Sequence, residues 1–156
     1  MNKIEIVLKD KKDFVSKYNN NRISNDLYKY IKYEAKLTDK KAKINIQIKP
    51  SFKMTDKEKE LLALNIKKTS REEIEDILFL EHKIILRELI FLILGTIITF
   101  ICFTIKNSPF ISEMFLIIGW LFVWEAVRDI IFTIVQNKDK IKRLKQIIKS
   151  DIDYID

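Results

Sequence analysis

The 156-residue sequence predicts a membrane protein of the α+β class. It reads as a two-helix transmembrane hairpin with a small N-terminal β-α-β-α cytosolic domain and a C-terminal amphipathic helix. Three observations carry this reading. Leu89 to Ile105 is 17 residues without a charge, and with Ile84–Leu86 it approaches the roughly 20 apolar residues that cross a bilayer core. A second apolar run, 110–135, is interrupted only by Glu113, Glu125, Arg128 and Asp129. The only polar break between the runs is "KNSP" at 106–109, and a connection that short joins two antiparallel helices.

The charges divide along the same boundaries. Residues 1–83 hold 20 Lys/Arg against 14 Asp/Glu, 84–135 hold 3 against 4, and 136–156 hold 6 against 4. These sum to the net +7 of the chain. The organisation expected is therefore a cytosolic α/β head at 1–69, a stalk helix at 70–83 and a first transmembrane helix at 84–105. An extracytoplasmic turn at 106–109, a second transmembrane helix at 110–135 and a basic amphipathic tail at 136–156 follow. A pair of buried core helices in a soluble fold is the alternative, and a chain this small has little protein with which to hide them.

Taken in order, "KIEIVLK" alternates, with Ile4, Ile6 and Leu8 on one side, and reads as a half-buried strand. "KDFVSKY" reads as a short helix that "NNN" at 19–21 interrupts. Ser24 stands where an N-cap is wanted for a helix over about 25–36 bearing Leu27, Tyr30 and Ile31. "AKINIQIK" alternates again and Pro50 stops it. An exposed edge of that strand offers a place for a second copy to pair. Thr55 with Glu58 has capping-box spacing, and so has Ser70 with Glu73. The second box predicts a helix starting at Arg71 and running into the membrane, with "REEIED" at 71–76 exploiting its N-terminal dipole.

Folding the hairpin about 107–108 sets Arg87 level with Arg128, and within a turn of Glu125 and Asp129. Arg87 is expected to pair with Glu125 or Asp129, and Glu88 with Arg128. Paired charges near the interface cost far less than isolated ones in lipid. The same fold brings Gly95 beside Gly119, the only two glycines in the chain. Small residues there permit close helix packing, with Thr96 or Thr99 bridging. Lys83, Arg87, Lys138, Lys140, Lys142, Arg143 and Lys145 flank the ends of the hairpin, against Lys106 alone at the turn. The positive-inside rule then places both termini in the cytoplasm, with Trp120 and Trp124 as interfacial anchors. In the tail, Ile141, Leu144, Ile147 and Ile148 share one helical face. That face suits docking on the head, self-packing or lipid.

Cys102 stands alone, so no disulfide framework is expected, and the charged start "MNKIEIVLKDKKD" does not read as a signal peptide. His82 is the only histidine. One histidine makes neither a His-based zinc site nor a Ser–His–Asp triad. No catalytic residues, metal site or cofactor are expected. Lys36, Lys40, Lys41, Lys43 and Lys49, with Tyr18, Tyr28, Tyr30 and Tyr33 nearby in sequence, form the best patch for an anionic ligand such as a nucleotide or nucleic acid. The function this supports is an oligomeric membrane-bound assembly or interaction module, with lipid, further copies and a cytosolic protein as partners. A ligand-gated pore-forming effector and a recruiter of nucleic acid to the membrane are the rival expectations.

Overall fold

A computed structural model describes residues 2–17, 19–39, 42–104 and 109–155, and of 20, 21, 103 and 104 the backbone alone. The element order is β1 (Asn2–Leu8), a 3-10 turn (Lys11–Asp13), β2 (Val15–Ser16), β3 (Asn19–Ile23) and α1 (Asn25–Leu37). Then come β4 (Ile44–Pro50), α2 (Asp56–Thr104), α3 (Pro109–Ile148) and β5 (Asp151–Tyr154). The chain divides into two compact units. One joins everything up to Asp76 with the segment from Asp139 onward, and the other is Ile77–Lys138.

The first unit, the head, is built on a three-stranded sheet in the order β1-β4-β5. Both pairings are parallel, with Ile4 opposite Ile46 and Ile46 opposite Ile152. Ile4, Ile6 and Leu8 of β1 and Ile44, Ile46 and Ile48 of β4 are all buried. Leu27, Tyr28, Ile31 and Ala35 of α1 and Leu62 and Ile66 of α2 are buried as well, completing the core of the head with Leu144 and Ile147 of α3. Parallel neighbours need a crossover, and α1 supplies the one from β1 to β4. The crossover from β4 to β5 is α2 followed by α3, so the whole apolar hairpin is inserted between two adjacent strands.

This arrangement corrects several readings. The "KINIQIK" strand is no edge: β4 lies at the centre, between β1 and β5. The segment "KDFVSKY" is not a helix. The Asp13 carboxylate accepts the backbone N–H groups of Lys9 at 2.8 Å and Asp10 at 3.0 Å, closing a tight turn from which the chain enters the β2–β3 hairpin. Phe14 then stacks on Phe52 at 6.3 Å. Ser24 holds the N-cap position of α1 without a side-chain capping bond.

The first capping box forms as expected. Thr55 N–H donates to Glu58 Oε2 at 2.8 Å and Glu58 N–H donates to Thr55 Oγ at 3.3 Å. The second does not, because α2 is already four turns old at Ser70. There the Ser70 hydroxyl donates to Ile66 O at 2.9 Å and receives the Tyr28 hydroxyl at 3.1 Å. Glu73 takes Lys32 of α1 at 2.8 Å and Glu72 stands 4.0 Å from Lys68. The polar run read as a helix start is thus an interior stretch of α2 that ties α1 in place.

The tail is no separate amphipathic helix. Its helical part is the end of α3, which stops at Ile148, and the rest is β5. Leu144 and Ile147 are buried in the head, as docking required. Beside them Arg143 Nη1 donates to Ala35 O at 3.1 Å and Thr38 O at 2.6 Å. Gln146 Nε2 donates to Asp39 O and Ala42 O. Arg143 thus holds carbonyls at the C-terminal end of α1, and Gln146 holds the loop that follows it. Burial pushes the Tyr154 phenol up to about 12, so it stays protonated and donates to Lys59 O at 2.6 Å.

In the second unit, α2 and α3 pack as an antiparallel hairpin. The pairs Arg87–Asp129, Phe91–Phe122, Gly95–Gly119 and Cys102–Ser112 run in matching steps toward the connection. Residues 105–108, which include most of the turn expected at 106–109, lie outside the described residues; Pro109, expected to end that turn, is the first residue of α3, a position that suits proline. Only 11% of each apolar window is buried, so this chain does not itself cover the two helices as the core of a soluble fold would. Ile90, Phe100, Phe110, Ile117, Trp120 and Phe132 are each 59–70% exposed. An apolar surface of that extent belongs against lipid. The chain is a membrane-associated protein with a folded non-membrane head. Both ends of the membrane segment return to that one head, so both termini lie on the same side of the bilayer.

Two outcomes follow for the head. Ile147→Ala should destabilise it by about 2–5 kcal/mol, while Leu64→Ala, at a 56% exposed position, changes little; urea unfolding checks both. The Lys11 ammonium at 2.7 Å and the Thr55 backbone hold the Glu58 carboxyl down at about 2, from an ordinary 4.5. A depressed carboxyl contributes stability above its unfolded value and loses it as pH falls toward the folded one. The head should therefore lose stability between about pH 4.5 and pH 2, and Glu58→Gln should flatten that part of the profile.

Candidate functional site

Two places carry chemistry, one in each unit, and each is described by itself. In the membrane unit, one layer gathers Arg87, Glu88, Glu125, Arg128 and Asp129. Arg87 Nε donates to Glu88 Oε1 at 2.6 Å, and its Nη2 stands 3.8 Å from Asp129 Oδ2 on the other helix. Arg128 bonds Glu125 and, at 3.2 Å, Asp129. Of the expected pairs, Arg87 meets Asp129 rather than Glu125. Glu88 takes its own neighbour Arg87, and the described ion pairs do not join it to Arg128. The difference is one of helix facing: Glu88 is only 1% exposed while Arg87 is 59% exposed. The acid points between the helices and the arginine folds back over it.

Among the described residues Glu88 Oε2 has no hydrogen-bond partner, and the layer sets three carboxylates against two guanidinium groups. Just outside it, Asn137 Nδ2 donates to Glu81 Oε2 at 3.0 Å, a cross-helix bond that sequence reading did not find. Its signal was a polar residue on each helix at matched distance from the turn.

Deeper in the hairpin, Gly95 and Gly119 face each other. A Cβ on Gly95 would lie 2.8 Å from Gly119 O, and one on Gly119 would lie 2.9 Å from Gly95 O. Backbone meets backbone here, so neither position has room for a side chain. Thr99 donates to Gly95 O at 2.9 Å and Thr96 to Leu92 O at 2.8 Å. Both hydroxyls thus serve their own helix, and Thr99 lies against Gly119. Trp120 and Trp124 stack at 6.5 Å and are 63% and 57% exposed, turned away from the partner helix.

In the head, three of the five lysines expected to form a basic patch lie among the described residues. Lys43 precedes β4 and Lys49 lies near its far end, about 20 Å apart at the rise of a strand. Lys36 sits on α1, and Lys40 and Lys41 fall outside the described residues, as does Tyr18. Tyr28 is buried against Ser70, and burial pushes its phenol well up, so it is no stacking platform. The structure instead opens a cleft of about 1030 Å³ beside β1. Its walls are Glu5–Leu8 of β1, Lys12 and Lys17 from the turn and hairpin, and Ser24–Leu27 with Tyr30 of α1. Three non-contiguous elements build it, and no local pattern announces it. Among the described residues no group of three or more His, Cys, Asp or Glu could hold a metal. His82 is exposed.

No family model, curated protein or solved structure matches the chain, so function rests on the geometry.

Arg87→Gln should leave Glu88 buried without its cation. The detergent-solubilised protein should then melt roughly 3–6 °C lower, the shift expected for about 1–2 kcal/mol in a chain of this size. Adding Glu88→Gln should recover most of that loss in a thermal-shift measurement, because an unpaired buried charge costs more than an absent pair.

Proposed function

We propose that the protein is a two-pass membrane component that holds its folded head at the cytoplasmic face and works as an oligomeric assembly or interaction module. The observation that carries this reading is the placement of the hairpin inside a strand crossover of the head. Anchoring and folding are then one event, and a head so closed is presented on one face of the bilayer. The lysine and arginine excess at the ends of the hairpin supports the cytoplasmic side. The tight Gly95–Gly119 contact and the charged layer support a hairpin that is a fixed unit. Two helices alone rarely enclose a conduit, so the module reading needs fewer assumptions than a channel.

The experiment is mass measurement of the detergent-solubilised chain, together with cysteine labelling from each side of the membrane and a liposome leakage assay. An oligomer, labelling of the exposed Lys53→Cys on a Cys102→Ala background from the cytoplasmic side, and intact liposomes support the module. Ion or dye leakage through a closed ring would instead favour a pore-forming effector. A monomer, or labelling of Lys53→Cys from outside, would overturn the reading.

A further inference from the structure

The head carries one open sheet edge with an unpartnered helix stripe beside it. Asn2 N–H donates to Lys43 O and Leu8 O accepts Ser51 N–H. In the alternation of a parallel ladder, the even residues of β1 therefore bond β4, while Lys3, Glu5 and Val7 turn both backbone groups outward. Among the described residues one group reaches them, the Tyr30 hydroxyl, which donates to Glu5 O at 3.3 Å. That bond sets Tyr30 on the β1 side of α1, and Tyr33 and Leu37 continue its stripe at helical spacing. The three are 44%, 61% and 65% exposed. The other edge, β5, is only four residues long and carries exposed Asp151 and Asp153, the usual guard against pairing. On β1 the guard is weaker, and Val7 is 60% exposed.

We propose that β1 and the Tyr30–Tyr33–Leu37 stripe bind the same surface of a second copy of this chain, with β1 antiparallel to the partner's β1 and Ile4 facing the partner's Ile4. Charge selects both the occupant and the register. Outward-facing residues form the hydrogen-bonded pairs of an antiparallel joint, so only registers that match odd positions with odd positions are open. The proposed register sets Lys3 opposite the partner's Glu5, and Glu5 opposite the partner's Lys3. One step toward the N-terminus sets Lys3 on the partner's Lys3, and one step the other way sets Glu5 on the partner's Glu5. Like charges directly opposite are unfavourable and opposite ones favourable. The strand is therefore self-complementary in one register and self-repelling in those on either side. The cleft along Glu5–Leu8 leaves room where the start of the partner's strand would lie. Glu5 O has a second lone pair, so it accepts the partner's Lys3 N–H while keeping Tyr30. This rests on the oligomeric reading above and names the surface in the head that serves it.

The test uses the full chain in native membranes on a Cys102→Ala background. Differently tagged Lys3→Cys and Glu5→Cys chains, coexpressed and mildly oxidised, should form a mixed disulfide dimer. Each variant expressed alone should not, because like positions lie a diagonal apart, beyond disulfide reach. In parallel, Lys3→Glu should weaken self-association of the solubilised protein at least tenfold. Lys3→Glu with Glu5→Lys should restore it to within about twofold, and Tyr33→Glu should weaken it as the single charge change does. Absence of the mixed dimer, or equal cross-linking by either variant alone, overturns the proposal. If the wild-type mass is still oligomeric in that case, the module reading survives without this surface; a monomeric wild type removes both.

Discussion

Everything in this molecule depends on β4. It pairs on one side with a strand from the start of the chain and on the other with a strand from its end. The sheet therefore cannot close until the chain has passed through both apolar helices and come back. Ile44, Ile46 and Ile48 are all at most 2% exposed, so closure seals an isoleucine core that no local segment can complete. The polar side chains around it are spent on the same closure. Asn45 Nδ2 donates to Asp153 at 2.7 Å, and Ser150 is buried with its hydroxyl on Ile147 O. Arg143 holds the end of α1, and Gln146 the loop after it, from about a hundred residues away.

The membrane unit obeys a different rule. With lipid as solvent there is no hydrophobic drive to bring two helices together, so contact depends on fit and on polar bonds. Fit comes from the two glycines, whose backbones approach closely enough to exclude any Cβ. Polar bonds come from the charged layer and from Asn137 with Glu81. Arg87 links the two kinds of contact, reaching across to Asp129 while covering Glu88. The exposed aromatic and aliphatic residues on the outside are what a lipid-facing surface requires.

The sheet face opposite the isoleucines is polar and, apart from Asn45 and Gln47 of the central strand, exposed, which is unusual for a parallel sheet. Lys3, Glu5, Val7, Gln47, Lys49, Asp151 and Asp153 alternate with the buried set and lie on that face, and most are exposed. Parallel sheets are normally covered on both faces. A small, polar-faced sheet with one guarded edge and one lightly guarded edge suits a unit that is completed by association.

The sequence by itself determined the two apolar spans, their antiparallel run, the alternation of β1 and β4, the helix of α1, the Thr55–Glu58 cap and the residues that meet around Arg87 and Gly95. Each is encoded locally or by distance from one turn, and periodicity reads such information directly. Only the tertiary structure decided that β4 is central, that Ser70 and Glu73 lie inside a helix and grip α1, that the tail divides between α3 and β5, and that a cleft opens beside β1. Those features arise where segments far apart in sequence compete for one buried surface. A serine three residues before a glutamate looks the same whether the helix begins there or has already made four turns. What separates the two cases is the tyrosine that arrives from another element.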